Sequence, residues 1–157
     1  MGFTNDLARG EEIEQEILTI LKKKYPTIHK ETGKYCREFY DFIVPQEKSV
    51  PEIKIEIKSD FYASDNFAFE CLGRRGKSTG IIKTSAKYWV HYRKDSYYVW
   101  EVATLKRYLL NVGGKLRNCG DDKASAAWII DEAEVISKCP PKAIVPRRSE
   151  KLCNAIA

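Results

Sequence analysis

Two short segments of the chain decide its fold class: YDFIV at 40–44 and IKIEIK at 53–58. β-branched and aromatic residues dominate both segments, and the intervening stretch 45–51 begins and ends with proline, so we predict two adjacent strands joined by a turn. Successive side chains of a strand point to opposite faces. We therefore predict that the three isoleucines of the second strand share one face, while Glu56 lies on the other face with two lysines.

Carboxylates on both predicted strands suggest a metal-dependent hydrolytic site. Glu56 stands two residues before Lys58 on the same face, and Asp41 lies on the preceding strand. Two such acids about 4 Å apart repel each other by roughly 4 kcal/mol at an effective dielectric near 20. A divalent cation removes that repulsion, so the pair favours an oxygen-lined Mg²⁺ site. The same alternation is also typical of a half-buried strand whose charged face meets water.

Length and composition indicate one globular domain, 1–157. The 157 residues are 43% apolar and 31% charged, which is typical of a soluble domain with its own core. No apolar run approaches the roughly 20 residues that span a bilayer, and the first residues lack a signal-peptide pattern, so we expect a cytoplasmic protein without a membrane partner. Five scattered cysteines without a Cys-x-x-Cys pair indicate reduced thiols.

Basic residues are clustered, although the net charge is only +5. The segment 71–95 contains seven Lys or Arg residues and one acid, and 103–120 contains four basic residues and no acid. Acids concentrate instead at 6–16 and 31–70. A basic surface beside an acidic pocket suits a polyanion bridged by a metal ion, and this favours nucleic acid as the partner.

The clearest predicted helix covers 5–24, with Thr4 or Asn5 as its cap and Lys22 to Lys24 at its end. Its apolar stripe at helical spacing places Glu14 at the edge of the buried face. That stripe consists of Leu7, Ile13, Ile17, Ile20 and Leu21.

The remaining pattern predicts alternating strands and short helices. Strands are expected at 67–72, 88–92, 97–102 and 128–130, a short helix or turn at 81–86, and helices beginning at Thr104 and after Asp131 as caps. The stretch 112–123 is expected to be a long loop. We therefore predict an α/β fold with a mixed central β-sheet flanked by helices, whose core covers about 5–111 and whose C-terminal extension is 112–157.

The glycine-rich stretch 73–80 is basic and resembles the end of a phosphate-binding P-loop. That motif requires glycine at the position of Cys71, so we expect no nucleotide triphosphate. Four basic residues in and after this stretch instead suit contact with a DNA backbone: Arg74, Arg75, Lys77 and Lys83. His29 and His91 are far apart and without ligand-like neighbours, so we expect both to be structural.

The order of a glutamate-bearing helix, an aspartate-bearing strand and a strand with Glu-x-Lys resembles the PD-(D/E)xK nuclease superfamily. Tyr40-Asp41 and Glu56-Ile57-Lys58 carry this likeness, together with Gly10 and Glu14 four positions later. Tyr40 departs from the proline of the family's name, at a position where the family is loose. The segments 66–70, 76–80 and 86–90 resemble small phage-type members, which would act in a host cytoplasm.

The resemblance implies a restriction-endonuclease-like core and a metal-dependent endonuclease, similar to the Holliday junction resolvases of DNA recombination. Asp41, Glu56 and the main-chain carbonyl of Ile57 would bind Mg²⁺, for which Mn²⁺ would substitute. Glu14 would contact the metal through water or help to hold Lys58. Lys58 would orient the attacking water, stabilise charge or act as a base, and Glu70 would be a further carboxylate.

Three alternatives stay open. A restriction-type or nicking endonuclease acting on duplex DNA uses the same residues, and a non-cleaving nucleic-acid-binding protein uses the same fold. A surface-interaction protein without a nucleic-acid role is the third. For cleavage of both strands of branched DNA, one site per chain implies a homodimer.

Overall fold

Helix α1, Phe3–Leu21, packs against one face of a six-stranded sheet, and a three-stranded sheet packs against the other face. The computed structural model describes residues 3–37, 39–62, 64–73, 76–112, 116–119 and 125–157. The further elements in chain order are β1 His29–Lys30, β2 Phe42–Val44, β3 Ile53–Ser59, β4 Asn66–Leu72, α2 Gly80–Lys83, β5 Tyr88–Arg93, β6 Ser96–Glu101, α3 Val102–Val112, β7 Leu116–Cys119, β8 Ser125–Asp131, α4 Glu132–Lys138, β9 Ala143–Pro146 and α5 Leu152–Ala155.

The larger sheet has the strand order β1-β2-β3-β5-β6-β9. Strands β3 and β5 are parallel, whereas the other described neighbours in this sheet are antiparallel. The predicted mixed sheet within an α/β fold is therefore confirmed. The hairpin that joins β2 to β3 is also confirmed, because Phe42 pairs with Ile55 and Val44 pairs with Ile53.

One hydrophobic core lies between α1 and the sheet. Ile13, Ile17 and Leu21 are buried there against the isoleucines of β3, which supports the predicted stripe. Leu7, also assigned to the stripe, is 53% exposed, so the packing of α1 starts about two turns later. Thr4 and Asn5 lie inside the helix, and neither is its cap.

A second core lies between the opposite face of the sheet and the smaller sheet, whose order is β4-β8-β7. Aromatic rings dominate it, with Phe67 and Phe69 of β4 meeting Trp100 at near-perpendicular angles. Such edge-to-face pairs stabilise a core beyond the apolar area that they bury. The second sheet thus covers the face formed by Trp89 of β5 and by Tyr98 and Trp100 of β6.

The C-terminal third differs most from the prediction. The expected loop at 112–123 contains β7, and the expected strand at 128–130 is the centre of β8. Asp131 does cap α4, since its side chain accepts a hydrogen bond from the N–H of Glu134, but Thr104 lies inside α3. Strands β8 and β9 pair with β4 and β6, so this third contributes to both sheets. None of the described helices combines the length and the apolar character that a membrane-spanning segment needs.

A buried arginine joins the two sheets. Arg93 at the end of β5 is fully buried, and its guanidinium donates to Asp60 Oδ2 at 2.8 Å and to the carbonyl of Asn66 at 2.6 Å. It also donates to the carbonyl of Ser64 and to Glu132 Oε2 of α4. One side chain therefore fixes the loop after β3 and the helix beside the second sheet.

We expect Arg93→Ala to lower the free energy of unfolding by about 3–5 kcal/mol, because it leaves buried acceptors without a partner. Urea denaturation measures the change. Lys94→Ala is the matched control, since Lys94 also pairs with Glu132 but is partly exposed, and we expect it to cost less than about 1 kcal/mol. An Arg93→Ala variant as stable as the control would contradict this assignment.

Candidate active site

Glu56 lies on the face of β3 that the alternation predicts, opposite the isoleucines. Its side chain is nevertheless almost buried, with 8% of the residue exposed. Its Oε1 is 3.7 Å from Lys58 Nζ, whereas Oε2 has no hydrogen-bond partner among the described residues. A buried carboxylate oxygen without a partner is costly, and this marks Glu56 as the central residue of the site.

Strand β2 begins at Phe42 and is shorter than the strand predicted at 40–44. Asp41 therefore lies immediately before β2 and not within it. Its N–H donates to the carbonyl of Ile55 at 2.9 Å, and its Oδ2 accepts a hydrogen bond of 2.7 Å from the N–H of Ile57. These two bonds hold the Asp41 carboxylate against the main chain of β3. The structure thus brings together Asp41, Glu56, Ile57 and Lys58.

Both carboxylates of the pair have raised pKa values. Burial, then the charge of Asp41, raises the pKa of Glu56 to about 8, and Lys58 only partly offsets this. Burial also raises the pKa of Asp41, although the hydrogen bond from Ile57 works in the other direction. In the absence of a cation, the pair therefore retains a proton near neutral pH.

Glu14 lies beside this pair, since its charge acts on both Asp41 and Glu56. Its carboxylate pairs with Lys30 Nζ at 2.8 Å, not with Lys58. Lys30 belongs to the two-residue strand β1, which pairs with β2, and the hydrogen bond to Glu14 raises its pKa. Sequence reasoning missed Lys30, because the polar segment around it gives no strand signal.

Asp41 and Glu56 suit Mg²⁺ better than a metal ion whose ligands are all protein side chains. Across the described ranges, no group of three or more His, Cys, Asp or Glu side chains is arranged to hold a metal ion. Mg²⁺ is usually bound by one or two carboxylates, with water and phosphate oxygens completing its shell. Asp41 and Glu56 fit that pattern, because they are two neighbouring carboxylates and Oε2 of Glu56 is buried without a partner among the described residues.

The expected DNA contacts are only partly described. Arg74 and Arg75 lie outside the described residues. Lys77 is exposed, and the ammonium group of Lys83 lies 5.3 Å from the ring centroid of Phe39, two residues before Asp41. Thr84 also donates to the carbonyl of Phe39, so the end of α2 is attached to the segment that carries Asp41.

Glu70 is not brought to the site. Phe69 and Cys71 on either side of it are buried in the second core, so the side chain of Glu70 lies on the opposite face of β4. There it accepts a hydrogen bond from Thr79 at 3.3 Å. Its suggested role as a further carboxylate is therefore wrong, and the cause is the strand alternation itself.

His91 is fully enclosed in the second core. Its Nδ1 accepts a hydrogen bond from the indole N–H of Trp89, and its ring meets Phe67 edge-on. Burial lowers the pKa of His91 to about 3, so the ring is neutral. These contacts agree with the expected structural role.

No protein-family model, curated protein or solved structure matches the chain.

Proposed function

We propose that this protein is a Mg²⁺-dependent DNA endonuclease with a restriction-endonuclease-like core, acting on branched DNA. The observation that carries the proposal is the buried Glu56 carboxylate, which has one unpartnered oxygen, lies beside Asp41 and is followed on the same face by Lys58. A stable fold gains nothing from two repelling acids in a partly buried position. Perturbed carboxylates of this kind are typical of functional sites.

The chain's own residues supply a binding position and a positive charge. Asp41 and Glu56 would hold the ion, and the N–H of Ile57 fixes the orientation of Asp41. When bound, the ion polarises a phosphate oxygen and lowers the pKa of its water. Lys58 is 33% exposed at its side chain and can therefore meet substrate, where its ammonium group stabilises charge that grows on the phosphate.

The arrangement of elements supports the same reading. The helix with Glu14, the edge of β2 with Asp41 and the strand with Glu56-x-Lys58 meet at one place, as the resemblance implies. Lys30 adds a cation beside Glu14. Partly buried Lys83 adjoins Phe39, and Lys77 is exposed six residues earlier; both belong to the basic region expected to contact phosphates.

The test is cleavage of a four-way junction, a flap, a nicked duplex and a linear duplex, with and without Mg²⁺ or Mn²⁺. We expect metal-dependent cutting that is strongest on the junction. We expect Asp41→Ala and Lys58→Ala to abolish it while DNA binding largely survives, because neither side chain supplies the main phosphate contacts. Glu52→Ala is the matched control, as Glu52 is an exposed carboxylate near the start of β3, and it should cut like wild type.

The outcomes separate the alternatives. Preferential cutting of linear duplex would replace the junction specificity with a restriction-type or nicking activity. Binding without cutting under any metal condition would leave a nucleic-acid-binding protein. Substantial cutting by Asp41→Ala would refute the site. Paired incisions also require two active sites, so the proposal includes a homodimer, which light scattering with and without junction tests.

A further inference from the structure

A cavity of about 190 Å³ lies at the carboxyl end of β3 and β5, outside the acid pair. It is smaller than the roughly 300–1,000 Å³ of pockets that enclose drug-sized ligands. Its size therefore suits a single ring system. The loop that follows β3 forms one wall, and the turn between β5 and β6 forms another.

Aromatic rings form the apolar part of this cavity. Tyr62 is 73% exposed, although it is a large aromatic residue. Beside it, Phe61 packs against Tyr92 with ring centroids 5.8 Å apart, and the guanidinium of Arg9 lies 4.0 Å from the Phe61 centroid. The cavity thus offers a supported aromatic wall, with Tyr62 presenting a free ring face to solvent.

The charged groups of the cavity are already paired within the protein. Asp60 accepts from Arg93 at 2.8 Å, and Lys94 donates to Glu132 at 2.9 Å. Asp95 accepts from the hydroxyl of Tyr92 at 3.0 Å. A balanced set of acids and bases does not favour a free phosphate. This charge balance is compatible with a neutral planar ligand that stacks on the exposed ring of Tyr62.

The cavity is close to the candidate active site. Asp60 follows Lys58 by two residues, and its N–H donates to the carbonyl of Tyr92, so it continues the pairing of β3 with β5. Asp60 lines the cavity, and two residues of extended chain cover about 7 Å. A nucleic-acid strand with its phosphate at Lys58 can therefore place a nearby base in the cavity.

We propose that the cavity lined by Tyr62, Phe61 and Arg9 binds an unpaired nucleobase of the substrate, one or two nucleotides from the phosphate at the acid pair. The proposal rests on the proposed endonuclease function and narrows its substrate class. DNA with an unpaired nucleotide beside the cleaved bond, as in a flap or an open junction, would be preferred to a continuous duplex. Stacking on Tyr62 supplies the affinity, because every base has a π-face.

Two flap substrates that differ by one base test this. Each is a fluorescein-labelled duplex with a three-nucleotide flap, in which the nucleotide next to the duplex is either adenine or abasic. In EDTA, where no metal-dependent cleavage occurs, wild type should bind the adenine flap about 5- to 150-fold more tightly. Tyr62→Ala should reduce this ratio to near one, whereas Tyr62→Phe should keep most of it.

Tyr35→Ala is the matched control, since Tyr35 is also an exposed tyrosine but lies outside the cavity; it should bind like wild type. With 2-aminopurine in place of adenine, wild type and Tyr35→Ala should quench its fluorescence, and Tyr62→Ala should not.

Equal affinity of wild type for both flaps, weak binding to both, or an unchanged ratio in Tyr62→Ala overturns the base site. Mg²⁺-dependent cleavage that needs Asp41 but shows no base preference would overturn this inference alone. Base-dependent binding without cleavage would overturn the endonuclease instead.

Discussion

Glu56→Gln is expected to abolish cleavage and, without metal, to raise the melting temperature above pH 8. Glutamine keeps the size of the side chain but removes the charge that would bind the ion. We expect cleavage to fall by on the order of 10³-fold or more, since even loss of an outer-shell partner of a metal site costs about 10- to 100-fold.

The gain in stability follows from the raised pKa of Glu56. Its pKa is about 8 in the folded protein, against an ordinary value of 4.5. The contribution of this group is thus fully present below pH 4.5 and is lost as the pH rises through 8. Glutamine cannot ionise, so the variant should not show this loss. The difference should reach a few kcal/mol at most, where 1 kcal/mol shifts the melting temperature by about 2–4 °C.

Thermal unfolding in EDTA between pH 5 and pH 9 measures this effect. The quantity to compare is the difference between variant and wild type at each pH. The pKa of His91 is lowered from its ordinary value of 6.5, so His91 reduces stability as the pH falls below 6.5. This contribution is the same in the variant and in wild type, and it cancels in the difference between their melting temperatures. Glu52→Gln provides the control for an exposed carboxylate. A Glu56→Gln variant that cuts DNA, or that gains no stability at pH 9, would contradict the role of Glu56.

Binding of Mg²⁺ to the metal-free protein at pH 7 is expected to release about one proton per ion. At this pH most of the Glu56 carboxyl is protonated, because its pKa is about 8, and an ion can bind only the ionised form. Isothermal titration in two buffers with different ionisation enthalpies gives the number of protons directly. The number should fall towards zero above pH 9.

The same titration on variants identifies the source of the proton. Glu56→Gln should bind Mg²⁺ weakly or not at all, whereas Glu52→Gln should release the same number of protons as wild type. Mg²⁺ should also raise the melting temperature most at high pH, where the unpaired acids destabilise the metal-free protein. Proton release that does not change with pH would show that Glu56 is not the titrating group.

The faces of β3 could be predicted from the sequence because strand periodicity is a local property. The alternation of isoleucine with charged residues assigned Glu56 and Lys58 to one face, and the structure agrees. The cap at Asp131 was predictable for the same reason, since it depends on residues within one turn. Asp41 was assigned to a strand, but it lies just before β2 and is held by a side-chain bond to Ile57.

The burial of Glu56 could not be predicted, since strand alternation gives only the face on which a side chain lies. The second sheet could not be predicted either. That sheet forms when β8 pairs with β4 across a long separation in sequence, and its edge strand β7 is the polar segment LRNC, which carries no apolar pattern. The pairing of Lys30 with Glu14 and the contacts of Arg93 are equally non-local. Glu70 was misassigned because its distance from Glu56 depends on which face of β4 packs inward.

The late position of β8 and β9 in the chain has a consequence for how the protein is made. Strand β6 ends at Glu101 and its partner β9 ends at Pro146, so on the ribosome the sheet keeps an open edge for roughly 2 to 9 s at 5–20 residues per second. Strand β4 likewise has no partner until β8 has been synthesised. Unpaired strand edges recruit other chains, so self-association during synthesis, and not the stability of the finished molecule, is expected to limit the yield of soluble protein at high expression rates.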